Sequence, residues 1–238
     1  MLLQRFAFFV SNSIIVHNQF SFKELLSKKI KKSKITVIPH GNYLPFVNEL
    51  NYEPHGEILE LLFFGQIKGV KGLDVLLKAI ARVVEFNQKI HLTIAGRPLG
   101  IDQNYYEKMI KELNISQFVS TNFQYISNED MENYFKACDL VVLPYKRIYQ
   151  SGVLLLSMSY GRVSLCSDLE PFADIIEDGK TGYLFQSENV ESLKEKILFI
   201  AKNKTNLTGI RNNALTILRS KFDWTVIGKQ TKSVYEKS

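Results

Sequence analysis

From Glu57 onward, short apolar runs alternate with amphipathic segments, and this alternation most limits the folds open to the chain. The runs have the length of buried strands, and the segments between them repeat apolar residues at helical spacing. Strands are predicted at 59–64, 90–95, 118–123, 139–144, 163–167 and 183–185, and helices at 71–85, 105–113, 128–138, 151–160, 190–202, 212–222 and 225–236. Such alternation predicts an α/β fold, a doubly wound parallel sheet with helices on both faces.

A smaller βαβ unit precedes this regular region. Strands are predicted at 13–17 and 34–38, around a helix over 21–30 that Ser21 caps with Glu24 in the capping-box position. Residues 43–56 carry two prolines and no periodicity, so they predict a linker. The predicted organisation is therefore a βαβ unit, a linker, the main domain and C-terminal helices, over residues 1–42, 43–56, 57–205 and 206–238.

Composition excludes several classes of protein. No apolar run approaches the length of a membrane span, and Met1–Val10 is interpreted as an amphipathic helix rather than a signal peptide. Cys138 and Cys166 lie far apart in apolar surroundings, which indicates reduced core thiols and a cytoplasmic protein. The net charge of +6 comes partly from lysines between Lys23 and Lys34. A solvated helix face explains that cluster better than contact with anionic lipid or nucleic acid.

The segment around Ser151 carries the first candidate binding site. A buried strand ends at Pro144, Ser151 is a good helix N-cap, and Gly161 supplies the helix C-terminus. This order places free backbone N–H groups at the carboxyl edge of the sheet, where a diphosphate binds well. The alternative is an ordinary βαβ crossover with a convenient cap.

A glycine-rich turn follows the first strand of the main domain and forms the second candidate. Gly65, Gly69 and Gly72 surround Lys68 and Lys71, so backbone and ammonium groups can both reach a phosphate. The spacing matches neither the dinucleotide fingerprint nor the P-loop, and turn glycines with solvated lysines are the alternative. In a doubly wound sheet both candidates lie at one edge, which favours a phosphorylated ligand.

Five segments in register resemble glycosyltransferase family four. They are Phe63-Phe64-Gly65, Lys71-Gly72-Leu73-Asp74, Ile94-Ala95-Gly96, the run from Ala137 to Tyr145, and the run from Asp174 to Leu184. The resemblance covers nearly the whole chain from about Ser11. It implies a retaining, nucleotide-sugar-dependent GT-B enzyme with two Rossmann-like domains, working in polysaccharide or glycolipid assembly. The main domain would be the C-terminal, donor-binding domain, and residues 1–42 a remnant of the N-terminal acceptor domain.

The resemblance also implies a set of donor-binding residues. The lysines and the helix amides would contact the diphosphate, the loop at Tyr125 would border the nucleobase, and Gln150 would contact the sugar. The set is Gly65, Lys68, Lys71, Tyr125, Ile126, Gln150, Ser151, Gly152 and Val153. Lysines and oriented N–H groups stabilise the leaving diphosphate without a metal, so no cofactor is expected. His17, His40, His55 and His91 are interpreted as strand, linker or turn residues, so no catalytic residue is assigned.

Two departures from the family pattern shape the functional prediction. An ungapped alignment places Ile148 and Leu156 where many members carry a pair of glutamates. The acceptor domain is also missing apart from its remnant, so we expect a transferase that is incomplete as a single chain. Its partners would be the donor, a saccharide or lipid-linked acceptor, a separate N-terminal subunit and the inner face of the membrane.

Three alternatives remain at this point. A nucleotide-sugar epimerase of the same architecture would need carboxylates and histidines that the sequence does not supply. A non-catalytic module that binds a nucleotide and pairs with a complete transferase is favoured by both departures. A basic nucleic-acid binder is the remotest alternative, because no aromatic-interleaved basic motif is present.

Overall fold

The computed structural model describes residues 2–48 and 56–237, with side chains described from Phe6 onward. It divides into two compact units. One comprises the residues up to Asn42 together with those from Ile217 onward, and the other comprises Tyr43–Thr216. The predicted linker contains a short 3₁₀ turn, Leu44–Phe46, and its Pro54 and His55 lie outside the described residues.

The smaller unit begins with a βαβ arrangement. Its elements are helix α1 (Leu2–Val10), strand β1 (Ile14–Val16), helix α2 (Gln19–Ser27) and strand β2 (Ile35–Val37). β1 and β2 pair in parallel, as predicted, with Ile14 opposite Ile35. The predicted cap of α2 was wrong: Asn18 caps the helix and accepts a hydrogen bond from the Ser21 amide, so the helix begins earlier than Ser21.

The larger unit contains a six-stranded parallel sheet. Its strands are β3 (Leu59–Phe64), β4 (Ile90–Ala95), β5 (Val119–Asn122), β6 (Leu140–Leu143), β7 (Val163–Ser167) and β8 (Tyr183–Phe185). The strand order is β5-β4-β3-β6-β7-β8, and every pair is parallel. This is the doubly wound Rossmann order, and the order reverses between β3 and β6. The predicted fold class is confirmed.

Helices follow the strands through this unit and into the other. They are α3 (Leu73–Val84), α4 (Gln103–Glu112), α5 (Asn128–Lys136), α6 (Gly152–Ser159), α7 (Glu170–Ala173), α8 (Val190–Lys202), α9 (Leu207–Lys221) and α10 (Trp224–Tyr235). Two differ from the sequence prediction by more than two residues. The four-residue α7 was not predicted, and α9 begins five residues earlier than predicted, so the division after Thr216 lies inside it.

The core explains why β3 and β6 lie at the centre of the sheet. Leu61, Phe63 and Leu140 are at most 1% exposed, and each strand carries buried apolar residues on both faces because helices cover both. Asp139, at the start of β6, is buried but satisfied: it accepts a hydrogen bond from the Glu60 amide at 2.9 Å and pairs with Lys204 at 2.7 Å. These contacts fix β6 beside β3, and the carboxyl ends of the two strands therefore lie side by side.

Candidate functional site

The turn after β3 holds the backbone in positions that need glycine. Gly65 has φ +95°, and its N–H donates to the Ala95 carbonyl at 2.9 Å. Gly96 follows the neighbouring strand with φ +144°, and a Cβ there would lie 2.1 Å from the Gly65 carbonyl oxygen. The loops after β3 and β4 therefore touch backbone to backbone, and a side chain at residue 96 would separate them.

The turn that carries Lys68 and Lys71, the lysine-bearing turn, packs against the end of β6. Lys68 precedes a 3₁₀ turn over Gly69–Lys71, and Gly72 ends it with φ +69°. A Cβ on Gly72 would lie 1.8 Å from the Pro144 carbonyl oxygen, so only glycine permits this approach. The Lys146 amide donates to the Val70 carbonyl at 2.8 Å and extends the contact.

Helix α6 presents its N-terminus at the same edge of the sheet. The predicted cap is confirmed: the Ser151 hydroxyl accepts a hydrogen bond from the Leu154 amide at 3.1 Å. The amides of Gly152 and Val153 belong to the first turn of the helix, where no intrahelical acceptor exists. Together with the helix dipole they form a partly positive surface that suits an anion.

The two predicted anion sites meet. A Cβ built on Gly65 would lie 3.4 Å from Val153 Cγ2 and 3.5 Å from Lys71 Nζ, so the lysine-bearing turn and α6 converge on this glycine. Burial, with a smaller contribution from the charge of the nearby Lys68, lowers the pKa of Lys71 to about 8. Among the described residues, no carboxylate pairs with Lys71. The arrangement can therefore stabilise an anion that supplies the missing counter-charge.

Tyr145 completes this cluster, although the sequence analysis did not assign it a role. The Lys71 ammonium lies 5.3 Å from the centre of its ring, in a cation–π contact. Burial raises the pKa of the Tyr145 phenol, and the Ser151 side chain lies close enough to oppose part of that rise. Even so, the phenol oxygen is buried without a hydrogen bond of normal geometry to any described residue.

An apolar pocket of about 630 Å³ adjoins the start of α6. Its walls come from α5, α6 and the 3₁₀ turn ahead of β3: Tyr43, Phe46, Asn128, Met131, Gly152, Val153, Leu156 and Tyr160. The Tyr43 hydroxyl lies 3.2 Å from where a Cβ of Gly152 would be, and the Tyr43 amide donates to the Ser159 hydroxyl at 2.9 Å. The aromatic walls were missed because this segment was interpreted as a linker, although its aromatic side chains are a signal of packing.

The remaining predicted donor-site residues lie on loops at the same carboxyl edge of the sheet. Lys68 is exposed on the turn, and Gln150 is exposed just before the cap of α6. Tyr125 is 77% exposed and Ile126 half-buried in the loop after β5, at the carboxyl edge but two strands from β3. The structure thus brings Gly65, Lys71 and Val153 into contact and leaves the Tyr125 loop more distant in the sheet.

The histidines have structural partners in the described residues. His17 Nδ1 lies 2.9 Å from the Ile38 carbonyl, and the ring of His40 packs edge-on against Trp224. His91 contacts Glu60 at 3.0 Å and Ser120 at 2.9 Å across neighbouring strands. Within residues 2–48 and 56–237, no three histidine, cysteine or acidic side chains cluster as metal ligands do.

Two further observations concern the thiols and the helices. Cys138 and Cys166 are both buried and unbridged, and burial raises the pKa of each thiol. None of the helices that the structure describes combines the length and apolar character needed to cross a bilayer.

Sequence comparison identifies relatives of known class. The family model described as glycosyl transferases group 1 matches residues 52–216. A GDP-mannose:glycolipid 4-beta-D-mannosyltransferase of Xanthomonas campestris is 33% identical over 130 residues, which cover 54% of this chain and 36% of that enzyme. A GDP-mannose:cellobiosyl-diphosphopolyprenol alpha-mannosyltransferase of Xanthomonas oryzae is 21% identical over 210 residues, which cover 87% of this chain and 54% of that enzyme. The chain thus spans about a third to just over half the length of these relatives.

Solved structures share the fold. A structure of Anabaena HepE in complex with UDP and glucose superposes with a TM-score of 0.83 at 18% identity, covering 98% of this chain and 66% of that one. Sucrose-phosphate synthase of Thermosynechococcus elongatus superposes with a TM-score of 0.79 at 19% identity, covering 94% of this chain and 58% of that one. The predicted GT-B glycosyltransferase architecture is confirmed, and the chain belongs to the glycosyl transferases group 1 family.

Proposed function

We propose that this chain binds the donor of a transferase that moves a sugar from a nucleoside diphosphate sugar to a saccharide or lipid-linked acceptor. The observation that carries the proposal is the convergence of the Lys71 ammonium and the start of α6 on Gly65. A donor diphosphate would lie between them, at the edge where the strand order reverses.

The chemistry of the site suits a leaving diphosphate. As the bond between sugar and phosphate loosens, negative charge develops on the phosphate oxygens. The Lys71 ammonium is half-buried and the Gly152 and Val153 amides are fixed by the helix, so these groups stabilise that charge with little reorganisation. Ser151 contributes by holding the first turn of the helix in place.

The donor that the comparisons support best is GDP-mannose. Two relatives with different acceptors, one a glycolipid and one a diphosphopolyprenol-linked sugar, are both named for GDP-mannose. Their names specify a beta and an alpha linkage, so retention of configuration stays a prediction from the family resemblance. A lipid-linked acceptor would bring the protein to the cytoplasmic face of a membrane.

Ligand binding to the purified chain tests this proposal. GDP-mannose and GDP should raise the melting temperature and give saturable heat in calorimetry, because a ligand that binds only the folded state stabilises it. UDP-glucose and ADP-glucose serve as competing donors, and Lys71→Met should lower the GDP affinity by about tenfold or more, as expected for one buried charged contact. Absence of binding by every nucleotide would refute the proposal.

The apolar pocket beside α6 is our candidate for the nucleoside of the donor, since it shares Gly152 and Val153 with the diphosphate site. Phe46 lines it and is 70% exposed, so truncation should leave folding intact. We expect Phe46→Ala to weaken guanosine and GDP binding by about three- to tenfold, the range of a lost aromatic contact. Phe86→Ala is the matched control, because Phe86 is 71% exposed and does not line the pocket. Equal losses in both variants would exclude the pocket.

A second candidate function is a nucleotide-binding module that pairs with a complete transferase and has no catalysis of its own. Ile148 and Leu156 favour it, because the family resemblance expects glutamates there and neither side chain can bond a sugar hydroxyl. Leu156 lines the apolar pocket. Nucleotide binding without sugar release or transfer, even after an acceptor-domain protein is added, would support the module over the enzyme.

A further inference from the structure

Tyr145 is held rigidly at the end of β6. Its carbonyl oxygen accepts hydrogen bonds from the Ser167 hydroxyl at 2.7 Å and the Ser187 hydroxyl at 3.2 Å. One side of its ring packs against Phe172 with the ring centres 5.4 Å apart, and the residue is only 4% exposed. A side chain fixed by both its backbone and its ring offers a surface of defined position.

That surface faces the proposed donor site. Lys71 reaches the Tyr145 ring from the lysine-bearing turn, with its ammonium 5.3 Å from the ring centre and close to Gly65. Lys146, the next residue after Tyr145, instead pairs with Asp74 at 2.8 Å. Of these two neighbouring lysines, Lys146 is therefore neutralised by a carboxylate, whereas Lys71 rests on an aromatic face.

An aromatic face holds a cation without neutralising it. A carboxylate partner would cancel the charge of Lys71 before a diphosphate arrived, and a solvated lysine would need to be ordered on binding. The ring quadrupole attracts the ammonium more weakly and leaves its N–H groups open to phosphate oxygens. Removing the ring would therefore release the ammonium into other rotamers.

We propose that Tyr145 is a positioning residue that holds the Lys71 ammonium beside the N-terminus of α6, where the donor diphosphate would bind. This inference rests on the proposed function. It acts through the ring rather than the hydroxyl, since the phenol oxygen makes no normal hydrogen bond to a described residue. Tyr145→Phe should consequently retain GDP affinity, and Tyr145→Met, which is apolar and smaller but has no ring, should weaken it.

The experiment measures GDP and guanosine binding to the full chain by calorimetry. For Tyr145→Met we expect GDP affinity to fall about three- to thirtyfold, the range of a desolvated cation–π contact, and guanosine affinity to stay unchanged. Tyr145→Phe should match the wild type for both ligands. In a Lys71→Met background, Tyr145→Met should have no further effect on GDP, because the coupled partner is already gone.

A series of fluorinated phenylalanines at position 145 keeps the test valid even if Tyr145→Met misfolds. Phenylalanine with one to five ring fluorines at position 145 keeps nearly the same shape but progressively weakens the attraction of the ring for a cation. GDP affinity should fall stepwise along the series while the melting temperature of the free protein changes little.

The possible outcomes separate the inference from the function on which it rests. The positioning role of Tyr145 would be overturned if GDP affinity stayed constant along the fluorinated series. It would also be overturned if Tyr145→Met lost GDP and guanosine affinity equally. A rise in affinity with fluorination would overturn it too, because the ring would then be competing with the ligand. If the wild type binds no nucleotide, the proposed function itself fails; if Lys71→Met abolishes GDP binding and the series stays flat, only the role of Tyr145 fails.

Discussion

At the scale of single residues, Lys71 faces opposite demands from stability and binding. Its half-buried ammonium has lost much of its hydration, and no carboxylate of the described residues compensates for this. The charge therefore costs folding free energy in the protein without ligand, and the same charge would give the proposed site its affinity for an anion. A residue that opposes stability and is placed in a site is expected where function, not folding, requires it.

This conflict predicts a pH dependence of stability. The pKa of Lys71 is about 8 in the folded chain against 10.5 in the ordinary case, so between these values the unfolded state holds more protons. The contribution of Lys71 to the free energy of unfolding should then rise with pH over this interval. At pH 7, Lys71→Met should stabilise the empty protein by about 1–3 kcal/mol, since one pKa unit is worth about 1.4 kcal/mol.

Urea unfolding at pH 7 and pH 9.5 measures both effects. Lys68→Met is the control: Lys68 is exposed on the same turn, and its removal relieves only the smaller, charge contribution to the lowered Lys71 pKa, so it should stabilise the protein much less than Lys71→Met. GDP affinity of the wild type should decline as the pH rises above about 8, when Lys71 loses its proton. A Lys71→Met variant less stable than the wild type at pH 7 would contradict this account.

The sequence indicated the cationic and backbone parts of the site but not its aromatic part. Gly65, Lys71 and Ser151 follow strand ends, and the carboxyl-edge rule predicts their meeting. Tyr145 could not be recognised in the same way. Its role depends on the distance between its ring and Lys71, and these residues come from distant segments that only the packed sheet brings together.

At the scale of elements, the N-cap of α6 links folding to binding. Ser151→Ala removes the hydrogen bond to the Leu154 amide and should cost about 1 kcal/mol, as other N-caps do. Because the first turn then frays, we expect GDP affinity to fall severalfold. Asn189→Ala is the control: Asn189 caps α8 through the Ser192 amide and should cost similar stability without changing affinity. Calorimetry measures the GDP affinity of both variants and urea unfolding measures their stability. Equal GDP affinities in the two variants would contradict the link between the cap and binding.

Element prediction succeeded where local signals were strong. β3, β4, β7, β8 and α8 have the predicted bounds, because apolar residues dominate these strands and recur at helical spacing in α8. The cap of α2 was misplaced because Asn18 and Ser21 are both good caps, and the helix begins from the earlier one. Helix α7 was missed because four residues that include Pro171 carry no helical periodicity.

At the scale of the whole molecule, the sequence predicted a doubly wound sheet but not which strands are neighbours. Alternation alone is compatible with several strand orders, and the pairing of β3 with β6 follows from contacts such as Asp139 with the Glu60 amide. That pairing decides where the order reverses, and therefore which two loops form the site.

Hydrogen exchange with and without GDP tests this placement across the chain. Protection should concentrate in the turn from Gly65 to Gly72 and in the first turn of α6, where amides would contact or surround the diphosphate. Strand β1, in the smaller unit, is the internal reference and should exchange equally in both conditions. Protection confined to the smaller unit would place the ligand elsewhere.

The central pairing also has a consequence for when the proposed site forms during folding. Leu61 of β3 pairs with Leu140 of β6, and most of the unit's early helices and strands lie between them in the chain. Contacts of such long sequence separation form slowly, since the intervening loop must close first. The proposed nucleotide site should thus assemble late, and a nascent or refolding chain should show helical signal well before it could hold a ligand.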